Sequence, residues 1–471
     1  MRRTKIVATV GPATSQPESM RALLAAGADV VRLNAAHGDP AVHTQHARLA
    51  RETAVALGRA VGVLVDLPGP KMRSGPVADD EIQLEAGSEI MLTSTPVVGN
   101  VHRISTTLPE LGRWVRGGDE IYLADGAIVL RVARITDGDV LCEVVRGGGL
   151  RSRKGMHVPR AEAHIEPFTD ADATALKMAI SIKADFIGLS FVRRPEDIEA
   201  VRARLPKRGF RPQLIAKIET AVALDHLPGI VSAADAVMVA RGDLGIQVPA
   251  RRVPLIQKEI IRFCNMAGKP VITATQMLES MTRSPLPTRA EVNDVANAVL
   301  DGTDALMLSE ETAVGAYPAD TVRTMSDVAE AAEAWPRART TPEGAAAAVD
   351  DDRVAWAVAH AAVQAAEDLG VAAIVCPTQS GTTARRVAAF RPSVPIAGIS
   401  DQPEILGRLC LVWGVRPVAA APSPDDDGQL RHATRAARDC GLAHKGDLVA
   451  VVSASPGKRA GATDTVRVVR A

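Results

Sequence analysis

Residues 213–245 read QLIAKIETAVALDHLPGIVSAADAVMVARGDLG, and this stretch decides the fold. It holds an apolar run that ends in KIE, a helical pattern, and a second apolar run that ends in RGD. Side chains alternate between the two faces of a strand, so Lys217 and Glu219 share one face. We expect Asp243 to close the next strand, which brings two carboxylates and one ammonium to one end of a sheet. Such a set can hold a hard divalent cation beside an anionic group, although alone it would more often be a surface ion pair.

Apolar runs that alternate with helical patterns continue on both sides of this stretch. The helical patterns include residues 18–26 and 41–57. Such runs are typical of a parallel sheet that is covered on both faces. Eight of them predict an α/β fold of the (β/α)8 (TIM) barrel class, whereas the alternative, a doubly wound sheet, lacks its Gly-x-Gly-x-x-Gly turn. The predicted strands are residues 5–11, 29–35, 61–67, 185–192, 213–219, 236–242, 270–276 and 305–311.

Two further units interrupt and follow the barrel pattern. From residue 71 onward the chain carries β-favouring runs and Gly-containing turns, with a hairpin predicted at residues 136–139. After a polar linker near residues 335–352, a C-terminal α/β unit is predicted from strands at 372–378, 394–400 and 447–454. We therefore divide the chain into a catalytic barrel (1–70 and 158–338), an inserted all-β lid (71–157) and a C-terminal α/β domain for regulation or oligomerisation (350–471).

The charge balance argues against nucleic-acid or membrane partners. The 55 Lys and Arg residues equal the 55 Asp and Glu residues, and the pI is about 7.2. The five cysteines have no metal-binding spacing, which favours reduced thiols, with Cys264 and Cys376 as inert core residues. No apolar run approaches the ~18 residues of a membrane span, and the N-terminus lacks the apolar stretch of a signal peptide. We expect a cytoplasmic protein.

Polar side chains stand at the strand ends where a TIM barrel places its functional groups. A single polar residue there usually solvates a loop, but seven of the eight predicted strands share the feature. A catalytic surface explains the set better than loop solvation does. Its members are Arg32, Asn34, Asp66, Ser190, Lys217, Glu219, Arg241, Asp243, Thr275, Gln276 and Ser309.

Eight segments, spread in order over nearly the whole chain, together form a specific pattern. They are TKIVATVGPAT (4–14), RLNAAHG (32–38), DLPGPKMR (66–73), IAKIE (215–219), MVARGDLG (238–245), ATQMLESM (274–281), PTRAEVNDVANAVLDGTDALML (287–308) and TQSGTTARRVAAFRP (378–392). In these segments the chain resembles the pyruvate kinase family. The resemblance implies a TIM barrel with a β lid inserted after the third strand and a C-terminal α/β domain. It also implies a phosphotransferase that moves the phosphoryl group of phosphoenolpyruvate to ADP, giving pyruvate and ATP in the last step of glycolysis.

The resemblance implies roles for the matched positions. Glu219 and Asp243 correspond to the ligands of a divalent ion, Mg²⁺ or Mn²⁺. Lys217 corresponds to the residue that stabilises the phosphoryl group in flight, and Thr275 and Ser309 are the two candidates for protonating the enolate. Substrate contacts correspond to Arg32, Lys217, Gly242, Asp243 and Thr275. Nucleotide contacts correspond to Asn34, His37, Arg73 and Lys154.

The family usually binds a monovalent cation in the region of Asn34, Asp66 and Lys71. In this chain Lys71 stands where many members have glutamate, Leu67 replaces a hydroxyl ligand, and Ala36 replaces a serine ligand. A tethered ammonium can substitute for a free cation. We therefore expect activity without added K⁺.

Two alternatives stay open, one because of three departures from the family pattern and one because an aldolase also places a Glu and an Asp on a divalent ion. Ala35 and Ala36 replace a Phe-Ser pair, Arg160 ends a lid hinge that lacks the usual Leu-Pro-Gly, and Glu310 replaces a glycine. One alternative is therefore a catalytically impaired paralogue that acts as a sensor or assembly subunit. The other is a metal-dependent pyruvate-enolate aldolase, which would leave the lid and its cations unexplained.

The segment TQSGTT in the C-terminal unit resembles the family's site for an effector phosphate. Hydroxyl and N–H groups at a helix start suit an anion, although a simple helix cap is an equal alternative. We expect a phosphorylated effector that the sequence does not identify, and the homotetramer usual in the family. The residues concerned are Thr378, Ser380, Gly381, Thr382 and Thr383.

Overall fold

Eight parallel strands close a barrel in the computed structural model, which describes residues 2–124, 126–162, 165–335, 351–420, 426–455 and 461–471. The predicted TIM barrel and each of its eight strands are confirmed. With strands numbered along the whole chain, the barrel contains β1 (Lys5–Thr9), β2 (Val30–Asn34), β3 (Gly62–Asp66), β12 (Phe186–Leu189), β13 (Gln213–Ile218), β14 (Ala236–Ala240), β15 (Val271–Ala274) and β16 (Ala305–Leu308).

Helices cover the outside of the barrel. Many begin with a residue that favours a helix start: proline opens α1, α2, α6 and α13, and Thr288 caps α11 by accepting the Glu291 N–H. The helices are α1 (Pro17–Ala25), α2 (Pro40–Ala56), α4 (Pro159–Glu162), α5 (Asp170–Ser181), α6 (Pro195–Arg202), α7 (Ala221–Asp225), α8 (Leu227–Ala233), α9 (Arg241–Gln247), α10 (Val253–Ala267), α11 (Arg289–Asp301), α12 (Glu310–Ala313) and α13 (Pro318–Glu333). Among the described helices, none combines the length and the apolar character that crossing a membrane requires.

The barrel strands are apolar on both faces because both faces are buried. Outward side chains such as Ile6 and Val63 pack under the helices, while inward ones such as Leu64 and Phe186 fill the interior. Leu411 of the C-terminal domain, with the neighbouring cysteine, packs against these interior side chains at the amino ends of the strands. This end of the barrel is therefore closed.

Four aspartates repeat one arrangement at the closed end. Each stands directly before a strand and accepts a backbone N–H from a neighbouring strand, which ties the strands together in pairs. The bonds run from Ile6 to Asp29 (2.9 Å), Val63 to Asp185 (2.8 Å), Leu214 to Asp235 (2.8 Å) and Val271 to Asp304 (2.9 Å).

One predicted strand end is wrong. Strand β14 ends at Ala240, and Asp243 lies in the first turn of α9 instead of closing the strand. The strand was predicted to continue because α9 begins at Arg241, directly after the last strand residue, with no loop between the two elements. The carboxylate still lies at the carboxyl end of the barrel.

The lid is almost entirely β-structure, as predicted. The predicted hairpin joins β8 to β9 through Asp137 and Gly138, whose φ angles of 52° and 89° suit a type I′ turn. Short helical segments, α3 (Leu111–Trp114) and a 3-10 turn (Ala78–Asp80), were not predicted. The strands are β4 (Glu81–Leu84), β5 (Glu89–Thr93), β6 (Arg103–Ser105), β7 (Glu120–Leu123), β8 (Ile128–Thr136), β9 (Asp139–Arg146), β10 (Gly148–Arg151) and β11 (Met156–His157).

The C-terminal domain is an α/β unit around a five-stranded sheet in the order β19-β18-β17-β20-β21. The three predicted strands are confirmed, but β19 and β21 were missed because both carry exposed polar residues. The predicted linker falls largely on residues 336–350, outside the described residues. The elements are α14 (Asp351–Asp368), β17 (Ala373–Pro377), α15 (Thr382–Ala389), β18 (Ile396–Ser400), α16 (Pro403–Leu409), β19 (Val415–Ala419), α17 (Asp426–Asp439), β20 (Leu448–Ser453) and β21 (Thr465–Arg470).

All five cysteines are free thiols, and four of them are buried. Burial raises the pKa of the Cys264 and Cys376 thiols. It also raises the pKa of the Cys142 thiol, to about 12. A buried thiol with a raised pKa forms little thiolate, so the expectation of inert core residues is met at Cys264 and Cys376.

Candidate active site

Lys217 lies at the centre of the charged groups at the carboxyl end of the barrel. Its ammonium is 2.9 Å from Glu219 Oε1 and 3.2 Å from Asp66 Oδ1, and it donates to Ser190 Oγ at 2.9 Å. The side chain is only 10% exposed. Burial lowers the pKa of Lys217, but the negative charges of Asp66 and Glu219 outweigh burial and raise it. The ammonium is therefore a fixed, permanently charged cation.

Arg32 binds the other side of Asp66. Its Nε and Nη2 donate to Asp66 Oδ2 at 2.9 and 2.5 Å, and its Nη1 donates to Thr9 Oγ1 at 3.0 Å. Burial alone would raise the pKa of Asp66, but the charges of Lys217 and Arg32 hold it below its usual value. An ionised Asp66 thus orients both cations that the sequence assigns to the substrate phosphate.

Glu219 is as deeply buried as Asp66, each with 1% exposure. Its second oxygen, Oε2, accepts the Phe191 N–H at 2.8 Å. Phe191 has a φ of 54°, so the chain turns into a left-handed conformation to present this N–H. Burial and the negative charge of Asp243 raise the pKa of Glu219, while Lys217 opposes the rise.

Asp243 is the accessible carboxylate of the site. It follows β14, the strand beside β13, and its side chain is 28% exposed. The ammonium of Lys71, from the first residues of the lid, lies 3.1 Å from Asp243 Oδ1. Lys71 is itself 32% exposed, so this pair lies at the open edge of the buried cluster.

Glu219 and Asp243 suit a divalent ion that takes few ligands from the protein. Glu219 follows β13 and Asp243 follows the neighbouring strand β14, so both carboxylates lie at the carboxyl end of the barrel, where the charge of Asp243 acts on Glu219. Within the described ranges, no group of three or more His, Cys, Asp or Glu side chains is arranged to hold a metal. Mg²⁺ is commonly held by one or two carboxylates, with water and substrate phosphate filling the other positions. The residues present therefore fit Mg²⁺ or Mn²⁺.

Thr275 and Gly242 form the next part of the site. The Gly242 N–H donates to Thr275 Oγ1 at 2.8 Å. Thr275 and Gln276 have φ angles of 69° and 54°, which non-glycine residues rarely adopt. Arg241 supports this turn, because its Nη2 donates to the Thr275 carbonyl at 2.7 Å and its guanidinium pairs with Asp294, also at 2.7 Å. Arg241 therefore stabilises the backbone turn at Thr275 and Gln276.

Ser309 follows β16, and its hydroxyl makes no capping bond to α12. Its backbone N–H donates instead to Glu311 Oε2 at 2.7 Å. Burial raises the pKa of Glu311, which is 2% exposed. Glu310 is exposed, and its negative charge acts on His37 across the mouth of the barrel.

The nucleotide residues Asn34 and His37 lie in a tight turn after β2. Asn34 Oδ1 accepts the backbone N–H of the residue two positions later at 3.2 Å. The His37 carbonyl accepts a hydrogen bond from His43 Nε2 of α2 at 2.8 Å. Burial lowers the pKa of His37, and the positive charge of Arg73 lowers it further. The imidazole of His37 is therefore neutral at pH 7 and lies within electrostatic reach of Arg73.

Arg73 and Lys154 lie on paired segments at the base of the lid. Arg73 forms a β-bridge with Gly155, and the Ser74 N–H donates to the Lys154 carbonyl at 2.8 Å. The Lys154 side chain is exposed. The structure thus brings together the two cations that the sequence assigns to the nucleotide phosphates.

Of the three residues grouped as the monovalent-cation region, two lie on neighbouring strands and the third pairs with Asp243. Asn34 and Asp66 are register partners on β2 and β3. Lys71 extends instead to Asp243, so its ammonium lies beside a carboxylate assigned to the divalent ion. The structure therefore places Lys71 closer to the divalent-ion ligands than the sequence suggests.

The lid joins the barrel again beside α9. His157 of β11 shares a hydrogen bond of 3.2 Å with Gln247 at the end of α9. Arg160, one of the departures from the family pattern, donates to Asp119 of the lid at 2.8 Å. A cleft of about 640 Å³, open to solvent, separates lid and barrel here, and its lining includes Lys71, Tyr122, Phe191, Asp243 and Gln247.

The loop before α15 holds the residues assigned to an effector phosphate. The Gly381 N–H donates to Thr378 Oγ1 and Ser380 Oγ donates to Thr382 Oγ1, both at 2.9 Å. Thr383 is buried and bonds to another threonine hydroxyl at 2.7 Å. Thr383 therefore faces the interior of the domain, while the other four residues form the turn.

Three residues of the site, Phe191, Glu311 and Thr9, are not among those predicted from the sequence. Phe191 acts through its backbone N–H, which no side-chain pattern can reveal. Glu311 follows an exposed glutamate, and the sequence does not show which of the two is buried. Thr9 could have been found, since it is the polar residue at the end of β1, the only barrel strand for which none was named.

The chain was compared with families and with curated proteins. The family model for the pyruvate kinase barrel domain matches residues 1–322, and the model for the pyruvate kinase alpha/beta domain matches residues 356–469. A pyruvate kinase of Thermotoga maritima is 40% identical over 470 residues, which is 100% of both chains. Pyruvate kinase 2 of Synechocystis is 41% identical over 99% of this chain and 79% of its own. A pyruvate kinase of Bacillus licheniformis is 40% identical over 99% of this chain and 80% of its own.

Proposed function

The chain belongs to the pyruvate kinase family, and from that premise we propose how its own residues carry the reaction. It is a phosphotransferase that moves the phosphoryl group of phosphoenolpyruvate to ADP and gives pyruvate and ATP, the last step of glycolysis. One observation carries the residue assignment: the ammonium of Lys217 is buried between Glu219 and Asp66, at the end of the barrel where Asp243 follows the next strand.

Glu219 and Asp243 hold the divalent ion, Mg²⁺ or Mn²⁺. When bound, the ion supplies positive charge to the oxygens of the transferred group. The two carboxylates leave the remaining positions to water and to substrate oxygens. The bond from the Phe191 N–H fixes one oxygen of Glu219 and so orients the other toward Lys217 and the cleft.

Lys217 and Arg32 contact the phosphoryl group. The transition state of phosphoryl transfer is loose and rich in charge, so catalysis depends mainly on the position of cations. Asp66 fixes both groups, Arg32 through two hydrogen bonds and Lys217 through charge. At 10% exposure the ammonium of Lys217 is poorly screened by water, which strengthens its effect on the phosphoryl oxygens.

The substrate carboxylate binds at the start of α9. The N–H groups of Gly242 and Asp243 lie in the first helical turn, where no intrahelical acceptor exists for them. Because the Gly242 N–H donates to Thr275 Oγ1, an arriving carboxylate takes over or shares that donor. Thr275 therefore borders the carboxylate.

Thr275 or Ser309 delivers the proton to the enolate, in either case through water. A hydroxyl is too weak an acid at pH 7 to act without such help. The Thr275 hydroxyl already donates to the preceding carbonyl at 2.6 Å, whereas the Ser309 hydroxyl caps no helix. A Ser309→Ala variant that loses proton exchange into pyruvate would assign the role to Ser309.

ADP lies between the turn after β2 and the lid. Asn34 and His37 contact the nucleotide from the barrel, and Arg73 and Lys154 bind its phosphates from the base of the lid. A neutral His37 suits this position, because it adds no positive charge that would compete with Arg73 and Lys154 for the nucleotide phosphates.

Activity does not require K⁺. Lys71 supplies a tethered ammonium near the mouth of the barrel, and Leu67 and Ala36 lack the oxygen atoms that a free cation would use. The position of Lys71 on Asp243 means that it must move toward Asn34 and Asp66 if it is to take the place of the free ion.

The proposal also assigns a role to each domain, an effector site, an oligomeric state and a location in the cell. The domain division places catalysis in residues 1–70 and 158–338, the lid in 71–157, and regulation or oligomerisation in 350–471. A phosphorylated effector binds the turn of Thr378, Ser380, Gly381 and Thr382, with Thr383 supporting it from within the domain. The protein is a cytoplasmic homotetramer without nucleic-acid or membrane partners.

A coupled assay tests this proposal. Purified protein is mixed with phosphoenolpyruvate, ADP and Mg²⁺, and pyruvate is followed through lactate dehydrogenase and NADH. We expect turnover that needs all three components. Absence of turnover at every effector tried, with effector binding intact, would support the impaired paralogue instead, and cleavage of a 2-keto acid without ADP would support the aldolase.

A further inference from the structure

Each carboxylate assigned to the divalent ion already has an ammonium of its own. Lys217 Nζ lies 2.9 Å from Glu219 Oε1, and Lys71 Nζ lies 3.1 Å from Asp243 Oδ1. These two ammonium groups balance the two carboxylates. A divalent ion that enters the site without substrate therefore meets a neutral cluster, where it gains little from charge attraction.

The two ammonium groups differ in how easily they can leave. Lys217 is 10% exposed and is held by Glu219, Asp66 and Ser190. Lys71 is 32% exposed, and within the described part of the chain Asp243 is its only carboxylate partner. Lys71 also lies at the beginning of the lid and lines the solvent-open cleft between lid and barrel. Lys71 is thus the cation that can be displaced.

We propose that Lys71 competes with the divalent ion for Asp243 and keeps metal binding weak until phosphoenolpyruvate is present. The proposal rests on the assignment of Asp243 as a metal ligand under the proposed function. With substrate bound, the phosphate and carboxylate add negative charge, the ion takes Asp243, and the freed ammonium of Lys71 turns to the anionic substrate.

Metal and substrate then assist each other's binding. An anionic ligand that binds beside the neutral cluster adds negative charge and so raises the affinity for a cation, and by linkage the cation raises the affinity for that ligand by the same factor. Lys71 is the source of a large part of this coupling, because it makes the substrate-free site a poor one for metal. It acts as a positioning residue, and its effect appears in binding rather than only in turnover.

Titration with Mn²⁺ tests the proposal directly. Free Mn²⁺ is measured by electron paramagnetic resonance in the absence and presence of phosphoenolpyruvate, for the wild type and for Lys71→Met. Without substrate, we expect Lys71→Met to bind Mn²⁺ roughly tenfold more tightly, since a unit positive charge a few Å from a divalent ion is removed. Phosphoenolpyruvate should then tighten Mn²⁺ binding much less in the variant than in the wild type.

Matched variants separate this effect from a general change of charge. Lys177→Met removes an exposed lysine of α5 and should leave Mn²⁺ affinity unchanged, while Lys71→Arg should keep it weak. In an Asp243→Asn background, Lys71→Met should lose most of its effect. If circular dichroism shows Lys71→Met to be unfolded, Lys71→Gln is held to the same tenfold criterion.

Equal Mn²⁺ affinity in the folded Lys71 variants and the wild type would overturn the competition. That result would leave the proposed function intact if the wild type turns over phosphoenolpyruvate and ADP. Conversely, a wild type without turnover would overturn the function while the Mn²⁺ titration still reports whether Lys71 opposes metal at Asp243.

Discussion

The two ends of the barrel carry buried carboxylates that hold different groups in place. At the amino end, each of four aspartates accepts a backbone N–H from a neighbouring strand and also pairs with an arginine, as Asp304 does with Val271 and Arg391. At the carboxyl end, Asp66 binds the side chains of Arg32 and Lys217. The backbone bonds tie strands together, whereas Asp66 holds two side-chain cations in place for a ligand.

The two ends of the barrel also differ in their access to solvent. Leu411 fills the interior at the amino end, and Gly407 packs so closely on the carboxylate of Asp185 that a Cβ there would lie 2.1 Å from it. At the carboxyl end the lid leaves a cleft beside Asp243. Burying charge is costly at either end, but only the open end can use its charges on a substrate.

Replacement of Lys217 should have the largest effect. Lys217→Met should lower kcat by about 10² or more, because it removes an oriented cation from the site of phosphoryl transfer. Steady-state kinetics in the coupled assay measure the change. Lys5→Met is the matched control, since Lys5 is also a buried lysine but donates to the Val415 carbonyl at the amino end. Near-normal turnover in Lys217→Met would refute the assignment.

Replacement of Asp304 should affect stability and not turnover. Asp304→Ala removes the carboxylate that accepts the Val271 N–H. The same carboxylate lies 3.1 Å from the guanidinium of Arg391. We expect a loss of about 3 kcal/mol in the free energy of unfolding, seen as a lower Tm. The kcat of the folded protein at 25 °C should stay within twofold of the wild type. A loss of kcat comparable to that of Lys217→Met would show that the amino end shares in catalysis.

Asp185 should make the amino end sensitive to pH. Burial raises its pKa to about 7, against the opposing charge of Arg51. Between about pH 4 and pH 7 the folded protein keeps a proton that the unfolded chain has released, so stability falls as the pH rises through this window, by at most about 4 kcal/mol. The Tm of the wild type should therefore fall more between pH 5 and pH 8 than that of Asp185→Asn, by a few degrees. Parallel pH profiles of the two proteins would contradict this account.

Addition of K⁺ should have the smallest effect. Activity at constant ionic strength should change by less than twofold when K⁺ replaces a tetraalkylammonium salt, because Lys71 provides a cation at the open end. The coupled assay measures this, once its own enzymes are shown to be insensitive to the exchange. A steep rise with K⁺ would mean that Lys71 stays on Asp243 and that a free cation is still needed near Asn34 and Asp66.

The sequence predicts the fold well because the fold depends on strong, repeated signals. Every barrel strand is apolar on both faces, and the hairpin at residues 136–139 contains the Asp-Gly pair that its turn requires. The failures lie where that signal is weak or misleading. Strands β19 and β21 carry exposed polar residues, and α9 begins at Arg241, directly after the last residue of β14, with no loop between them.

The sequence predicts which residue types stand at the strand ends of the candidate site. It predicts the contacts between those residues less well. The grouping of Lys217 with Glu219 follows from strand alternation, and the structure shows them 2.9 Å apart. The contact of Lys71 with Asp243 could not be predicted, because it depends on how the lid leaves the barrel. The bond from Phe191 to Glu219 could not be predicted either, because it depends on one left-handed backbone angle.

A crystal grown with Mn²⁺ and phosphoenolpyruvate, measured at a wavelength where manganese scatters anomalously, tests the central claim most directly. We predict one strong anomalous peak within about 2.2 Å of carboxylate oxygens of both Glu219 and Asp243, with the ammonium of Lys71 displaced from Asp243. A peak that contacts only one of the two carboxylates, or that lies elsewhere in the barrel, would contradict the account.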